Sequence, residues 1–340
     1  MGTVQAGMPI PGAAAPDISV IIACLNGAAT LPEALESLAA QRWPGGWEIV
    51  LVDNGSTDAS RALFAAFAAR HPRRATRLLD ASAHPGQYNA INFALAALPS
   101  RAFLFCDADD AVGPGWLAAM AAGLGEHDFV AARMETGRLN PDWLRPARVM
   151  AQERGLARLS YPPFCPHAGG ATLGFHRRLF ETLGGFDPQL PALADTDFCI
   201  RAHLAGFELR DVPDAVYHYR FRADVAGSRR QGYAYARGRA ELRRRYGDGK
   251  PGFFAPGPWL RLGRNLAAIA LGSAARALRL KDPGSHAQQV SRARWIGATQ
   301  GELAGALAAR VPPNYGLYRG VRAQAPGRRH ARRGAAAGKP

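Results

Sequence analysis

The chain has few cysteines, and they lie far apart. Only four occur in 340 residues, at Cys24, Cys106, Cys165 and Cys199, and none belongs to a Cys-x-x-Cys pair. This spacing argues against a disulfide framework and against a structural zinc site. Residues 1–16 are rich in Gly, Ala and Pro and lack the charged start of a secretory signal. We therefore expect reduced thiols, a flexible amino terminus and a cytoplasmic protein.

Two other common signals are missing from the sequence. No Gly-x-Gly-x-x-Gly follows the first apolar run, residues 18–23, which disfavours a dinucleotide-dependent dehydrogenase. No membrane-spanning helix is expected at residues 259–280, because arginines interrupt the roughly 20 apolar residues that a span requires. The chain still has 48% hydrophobic residues, enough for a substantial buried core.

Acidic residues become scarce towards the carboxyl terminus. Residues 1–218 contain 17 Lys or Arg against 22 Asp or Glu, a net charge of −5, whereas residues 219–340 contain 25 against 5, a net charge of +20. The two parts together account for the +15 of the whole chain. A segment this basic indicates an anionic partner, which could be phospholipid, nucleotide or nucleic acid.

Short apolar runs alternate with helical segments through the first part of the chain. Helices are predicted from Leu31, after Asp58 to about Arg70, and over 89–98, and strands at 18–23, 48–52, 77–79 and 102–106. Such alternation predicts an α/β fold with a mainly parallel sheet flanked by helices, and ligands at the carboxyl ends of the strands. Residues 137–170 contain five prolines and are predicted to be irregular.

The most distinctive motif is FLFCDADDAV at residues 103–112, where a buried strand runs directly into three acids. Side chains alternate along an extended segment, so Asp107 and Asp109 should share one side while Asp110 points elsewhere. Two hard oxygen ligands at one point suit Mg²⁺ or Mn²⁺ carrying substrate phosphates. The alternative is a cluster that caps the helix predicted at Trp116, although a cap needs one Asp and like charges repel.

Two further carboxylates stand where strands or loops lead into helices. Asp53 ends the second strand, within VDNGSTD, and could accept a hydrogen bond from a nucleotide base or simply belong to a strand-to-helix loop. Asp195 follows GGFD and lies in ADTDFCIR, just ahead of a predicted helix. A positioned carboxylate there could take the proton from an attacking hydroxyl, or it could cap the helix.

With these motifs in this order, residues 18–220 resemble a family 2 glycosyltransferase. The resemblance rests on SVIIACLNGAATLPEALESL, VLVDNGSTD, FLFCDADD, GGFDPQLPALADTDFCIRAHLAGFEL and VYHYR. It implies a GT-A fold, a UDP-, dTDP- or GDP-sugar donor, a divalent metal (Mn²⁺ or Mg²⁺) and inversion at the anomeric carbon. The acceptor would be a hydroxyl of a glycan or of a lipid-linked molecule.

The resemblance also implies which residues bind the donor. Asp53 would contact the nucleotide base, and Ala23, Asn26 and Asp107 would belong to the same donor site. One departure concerns this site: the family's usual Ala-Arg-Asn is read here with Ile91 in place of the arginine, which removes a diphosphate-pairing cation.

Metal and base roles are implied in the same way. Asp107 and Asp109 match the family's Asp-x-Asp, with Asp109 the more direct metal ligand, and His218 matches a histidine that approaches the metal or diphosphate in some relatives. A half-buried structural histidine is the alternative for His218. Asp195 matches the general base, although Ala194 stands before it where the family commonly has Glu.

The boundaries of the parts follow from composition and from the extent of the resemblance. We predict a catalytic domain over residues 17–220, a basic helical extension over 221–318 and a disordered basic tail over 319–340. Within the extension, the Arg-, Gln- and Tyr-rich residues 229–246 either close over the donor, as a comparable segment does in the family, or form a solvated basic helix.

Residues 259–280 form an amphipathic pattern, with arginines on one face and apolar side chains on the other. The segment either lies on an anionic membrane surface, at the inner face of the cell membrane, or packs on the catalytic domain. Nucleic-acid binding is the less favoured alternative, because a basic pI without a base-reading motif indicates only non-specific attraction. A catalytically silent sugar-nucleotide-binding relative is a further alternative.

Overall fold

The computed structural model describes residues 16–144, 150–190, 192–247 and 286–308, together with the isolated positions 263 and 267. Apart from those two positions, the predicted amphipathic segment 259–280 lies outside the described residues, as does the predicted tail 319–340. Among the described residues, no helix is both long enough and apolar enough to cross a membrane.

Ten strands and eight α-helices make up the part of the chain that the structure describes. The strands are β1 Ile18–Cys24, β2 Trp47–Asp53, β3 Ala75–Asp80, β4 Ala102–Phe105, β5 Ala111–Val112, β6 Phe129–Glu135, β7 Ala157–Arg158, β8 Pro166–His167, β9 Leu173–His176 and β10 Leu209–His218. The helices are α1 Leu31–Ala39, α2 Ser60–Arg70, α3 Gln87–Ala97, α4 Trp116–Glu126, α5 Arg177–Leu183, α6 Ala194–Leu204, α7 Val225–Tyr246 and α8 His286–Ala308.

Eight of the strands form one mixed sheet in the order β3-β2-β1-β4-β9-β6-β10-β5. The first four are parallel, and β6 is parallel to β10. β9 runs antiparallel between β4 and β6, and the two-residue β5 pairs antiparallel with the end of β10. The prediction of a mainly parallel sheet flanked by helices is therefore confirmed.

Both faces of this sheet are covered, which explains the nearly continuous apolar composition of its strands. All seven residues of β2 are buried. On one face, α3, α5 and α6 enclose a cluster of phenylalanine rings in which Phe175 contacts Phe103, Phe129 and Phe198. On the other face, α1, α2 and α4 pack on the sheet, with Trp116 fully buried. The sheet is thus held firmly from both sides, and its strand ends are fixed in space.

The predicted irregular stretch contains only short elements where it is described. These are a 3₁₀ turn at Ala151–Arg154, the two-stranded sheet formed by β7 and β8, and a second 3₁₀ turn at Gly170–Thr172 that leads into β9. This second turn brings the backbone of Gly170 to the carboxyl edge of β4, next to the acidic motif.

Two long helices complete the structure. Asp224 caps α7, because its carboxylate accepts a hydrogen bond from the backbone N–H of Gly227. α7 and α8 run parallel and touch through glycines: a Cβ on Gly297 would lie 1.9 Å from the carbonyl oxygen of Arg229, and one on Gly301 would lie 2.3 Å from that of Tyr233. The predicted helical carboxyl-terminal part is present, whereas the domain boundary near residue 220 stays a prediction.

Candidate active site

A cleft of about 590 Å³ opens at the carboxyl ends of β1 and β4. Ala23 and Asp107 line it from the sheet edge, Asp195 lines it from the start of α6, and Tyr235 lines it from α7. Ligand sites occur at this edge of open α/β sheets because the loops after the parallel strands converge there.

The acidic motif is held in shape by its most buried member, Asp110. One oxygen of this carboxylate accepts a hydrogen bond from the Tyr217 hydroxyl at 2.8 Å, and the other accepts one from the backbone N–H of Arg220 at 2.7 Å. The Tyr217 hydroxyl in turn accepts a hydrogen bond from the backbone N–H of Asp107 at 3.0 Å. Burial raises the pKa of Asp110 well above its usual range. Asp110 therefore fixes the loop, while Asp107 and Asp109 are more accessible.

Carboxylate oxygens of Asp107, Asp109 and Asp110 lie within 4.8 Å of one another. Asp107 accepts a hydrogen bond from the Gln87 side chain at 3.1 Å, and Asp109 forms an ion pair with Arg222 at 3.1 Å. Burial and the negative charges of Asp109 and Asp195 raise the pKa of Asp107 to about 7. A hard-oxygen cluster whose negative charges repel each other has the composition that a divalent cation requires.

None of the three aspartates caps the following helix, since Gly115 occupies the N-cap position of α4 and no side chain caps it. The acidic motif therefore does not cap α4.

Asp195 lies inside the first turn of α6 rather than at its cap, because Leu193, with φ of +65°, occupies the N-cap position. One oxygen of the Asp195 carboxylate accepts a hydrogen bond from the backbone N–H of Gly170 at 2.8 Å, and the other accepts one from that of Thr196 at 2.7 Å. Burial raises the pKa of Asp195. Its neighbour Ala194 is fully buried in the core, so only Asp195 of this pair faces the cleft.

The remaining predicted donor residues stand at the same edge but do not line the cleft. Asp53 is fully buried at the end of β2, where it accepts a hydrogen bond from the backbone N–H of Ser56 at 3.2 Å and faces Arg61 at 3.4 Å. Asn26, with φ of +55°, accepts a hydrogen bond from the backbone N–H of Thr57 at 2.8 Å. Asn26 therefore connects the loop after β1 to the loop after β2.

His218 ends β10, and its Nδ1 lies 2.6 Å from a carboxylate oxygen of Glu135. Although burial opposes the change, the hydrogen bond with His218 lowers the pKa of Glu135. The histidine does not belong to the carboxylate cluster that the described residues form. Its role as a metal neighbour stays a prediction.

Several cleft residues escaped prediction from the sequence. Arg222 reaches Asp109, and Arg220 donates to the carbonyl oxygen of Asp109 at 2.8 Å and to the Glu33 carboxylate at 2.5 Å. The one sequence signal near them is the motif VYHYR at residues 216–220, which includes Arg220 and in which alternation along β10 turns Tyr217 inward. Arg230, Gln231 and Tyr235 of α7 also line the cleft. The sequence had left open whether residues 229–246 close over the donor or form a solvated basic helix.

Known proteins are similar to this chain in sequence. The family model described as glycosyl transferase family 2 matches residues 19–184. The PGL/p-HBAD biosynthesis glycosyltransferase of Mycobacterium bovis (strain BCG / Pasteur 1173P2) is 35% identical over 193 residues, which cover 55% of this chain and 70% of that protein. The succinoglycan biosynthesis protein ExoO of Rhizobium meliloti (strain 1021) is 37% identical over 105 residues, covering 31% of this chain and 29% of that protein.

A solved structure extends the likeness beyond the matched segment. The mannosyltransferase PcManGT from Pyrobaculum calidifontis, in complex with GDP-Man and Mn²⁺, superposes with a TM-score of 0.59 at 22% sequence identity. The superposition covers 90% of this chain and 92% of that one. The two proteins therefore share the fold. The chain belongs to glycosyl transferase family 2 and is a glycosyltransferase with the GT-A fold.

Proposed function

We propose that this glycosyltransferase moves a sugar, with inversion, from a nucleotide-sugar donor to a hydroxyl of a glycan or lipid-linked acceptor. In this proposal Asp107 and Asp109 hold a divalent metal ion, and Asp195 is the general base. One observation carries it: Asp107, next to Asp109, and Asp195 line the same cleft. The leaving diphosphate would face the metal ion held by Asp107 and Asp109, and the attacking hydroxyl would face Asp195.

The carboxylate oxygens available as metal ligands support Mn²⁺ or Mg²⁺. Asp107 and Asp109 offer hard oxygen atoms, whereas both oxygens of Asp110 are already engaged by Tyr217 and Arg220. Arg222 already places a positive charge against Asp109. The metal, when bound, would neutralise charge on the departing nucleoside diphosphate. The structurally similar mannosyltransferase holds GDP-Man and Mn²⁺, which supports a nucleotide sugar and this type of ion.

The surroundings of Asp195 support its role as base. Hydrogen bonds from two backbone N–H groups hold the carboxylate in one orientation at the wall of the cleft. A carboxylate oriented in this way can accept the proton of an acceptor hydroxyl as the oxygen attacks the anomeric carbon. Attack from the side of Asp195, with the diphosphate leaving towards Asp107, would invert the configuration.

The strand order supports the placing of the donor nucleotide. Passing along the sheet edge, Asp53 ends β2, Ala23 lies near the end of β1 and Asp107 follows β4. A nucleotide lying along this edge, with its base on the β2 side, would pass Ala23 and bring its diphosphate to Asp107. Asn26 would contribute by holding the loop between the first two of these strands.

Calorimetric titration with UDP-, dTDP- and GDP-sugars tests the proposal, using Mn²⁺, Mg²⁺ or a chelator. We expect one donor to bind in a metal-dependent manner. Asp109→Ala should abolish this binding, because the variant lacks a metal ligand. Asp214→Ala is the matched control, since Asp214 is an exposed carboxylate on β10 away from the cleft. Donor binding that is unchanged in Asp109→Ala would contradict the metal assignment.

A further inference from the structure

A row of side chains on α7 continues beyond the cleft. Gln231, Tyr235, Arg239 and Arg243 are spaced four residues apart, so each lies about one turn beyond the previous one, and the row turns around the helix by about 40° per step. Gln231 and Tyr235 line the cleft. At about 1.5 Å of rise per residue, Arg243 lies about 12 Å beyond Tyr235 along the helix axis.

This row leads away from the acidic motif. The amino end of α7 lies next to the acidic motif, because Arg222, just before the helix, forms an ion pair with Asp109. The carboxyl end of α7 is on α6, because the Tyr246 hydroxyl donates a hydrogen bond to Asp197 at 2.7 Å. The arginines at 239 and 243 therefore lie on the α6 side of the cleft, the side that Asp195 occupies.

Contacts in the middle of α7 support this direction. A Cβ on Gly238 would lie 2.6 Å from the carbonyl oxygen of Ala192, three residues before Asp195. The Arg243 guanidinium lies 5.7 Å from the centre of the Tyr161 ring. Tyr161 belongs to the loop that comes before the Gly170 turn. The arginine row thus borders the segments that hold Asp195.

A third arginine joins the row from α8. Arg294 donates a hydrogen bond to the Gln231 side chain at 2.9 Å, and its guanidinium lies 5.9 Å from the centre of the Tyr235 ring. Partial burial, together with the positive charges of Arg243 and Arg294, lowers the pKa of Arg239, although the negative charge of Glu302 opposes the change. We call Arg239, Arg243 and Arg294 the arginine cluster.

The cluster carries more positive than negative charge. Glu241 pairs with Arg244 and Arg245, and Asp187 also pairs with Arg245. Among the residues that the structure describes, no carboxylate lies within 4.0 Å of any of the three cluster arginines. Guanidinium groups without a carboxylate partner can receive an anionic group such as a phosphate.

We propose that the acceptor of this glycosyltransferase carries a phosphate or diphosphate group, and that the arginine cluster binds it while the acceptor hydroxyl lies at Asp195. The inference rests on the proposed function, since it takes Asp195 to mark the reacting hydroxyl. Guanidinium groups bind phosphoryl oxygens through paired, charge-assisted hydrogen bonds, and Arg239 and Arg243 are exposed to solvent. The basic segment thus serves the substrate directly rather than nucleic acid.

The test uses the full chain and the double variant Arg239→Gln/Arg243→Gln. Arg237→Gln is the matched control, because Arg237 is an exposed arginine on the same helix that points to Tyr233 instead of the cluster. The probes are glucose 1-phosphate and geranyl diphosphate, with glucose and geraniol as neutral partners and inorganic pyrophosphate as a free anion. Titrations contain EDTA, which keeps diphosphates from binding through a metal at Asp109.

We expect the wild type and Arg237→Gln to bind at least one phosphorylated probe and neither neutral partner. The double variant should bind that probe about tenfold more weakly or worse, because two charge-assisted contacts are lost. Equal affinity in the double variant and wild type would overturn the proposal. Binding of inorganic pyrophosphate alone would also overturn it, because the cluster would then hold a free anion rather than an acceptor.

Two further measurements separate the sources of failure. Donor binding with Mn²⁺, measured on the same samples, should be unchanged in the double variant; absence of donor binding in the wild type would refute the proposed function independently of the cluster. Sedimentation with phosphatidylglycerol vesicles should not depend on Arg239 and Arg243. Release of the double variant from vesicles, without any effect on the soluble probes, would assign the cluster to a membrane headgroup and overturn the acceptor proposal.

Discussion

The two walls of the cleft differ in charge and in how they are built. One wall, which we call the sheet wall, is formed by the strand ends together with the start of α6. It presents carboxylates whose positions are set by hydrogen bonds from backbone groups, such as those from Gly170 to Asp195 and from Arg220 to Asp110. The helical wall presents arginines on long side chains, carried by α7 and α8. The first wall is suited to hold a cation and remove a proton within a fixed geometry. The second is suited to attract anions of variable shape.

The same contrast extends to packing. The sheet wall rests on large buried side chains on both faces of the sheet, whereas α7 and α8 approach each other through glycines that allow backbone contact. Chemistry that needs accurate positioning is therefore located on the rigid part of the molecule. Substrate recognition by charge is located on the helical pair. Three experiments test this division, from the largest expected effect to the smallest.

Asp195→Asn should have the largest effect, because it removes the base while keeping the size of the side chain and one of its two hydrogen-bonding oxygens. We expect the transfer rate at saturating donor to fall by about 10²- to 10⁴-fold, with unchanged donor affinity. The measurement is kcat together with the donor dissociation constant. Normal turnover in Asp195→Asn would show that the sheet wall does not supply the base.

Gly297→Ala should destabilise the helical wall, because the added methyl group meets the backbone of Arg229. We expect a loss of about 1–3 kcal/mol in the free energy of unfolding, the usual range for overpacking. Gly125→Ala is the matched control, since Gly125 lies in helix α4 and has nothing within 4 Å of the added atom. The control should be neutral or stabilise by up to about 1 kcal/mol.

Urea unfolding of both glycine variants gives the comparison. Equal changes for Gly297→Ala and Gly125→Ala would mean that close contact between α7 and α8 contributes nothing to stability.

The smallest expected effect is a dependence of the protein's stability on pH, which arises from Asp107 on the sheet wall. The folded protein raises the pKa of Asp107 from 3.8 to about 7, so between these values it binds a proton more tightly than the unfolded chain does. The stability of the metal-free protein should therefore fall as pH rises through this window. Mn²⁺ should restore stability at pH 8, where it meets no competition from the proton.

The measurement is the difference in melting temperature between wild type and Asp107→Asn, in EDTA and in Mn²⁺. The variant should show a flatter dependence on pH and a smaller gain from Mn²⁺. Identical pH profiles for the two proteins would contradict the raised pKa of Asp107.

Much of the sheet wall could be predicted from the sequence because its signals are local. Apolar runs bounded by turn residues predicted β1 to β4 within a few residues of their observed ends. The acids that follow β2 and β4 lie at the carboxyl edge of a parallel sheet whatever the order of its strands. Whether Asp195 would cap its helix was not decided by such a pattern, because capping depends on backbone angles at Leu193.

The amino-acid sequence by itself determined the apolar strands, the acidic motif at a strand end and the basic character of the carboxyl-terminal part. Tertiary structure alone decided the contacts between distant residues: Asp195 with Gly170, Asp109 with Arg222, and α7 with α8. It also decided the insertion of β9 between β4 and β6. The physical reason is that strand formation follows from neighbouring residues, whereas partners far apart in the chain are chosen by packing of the whole core.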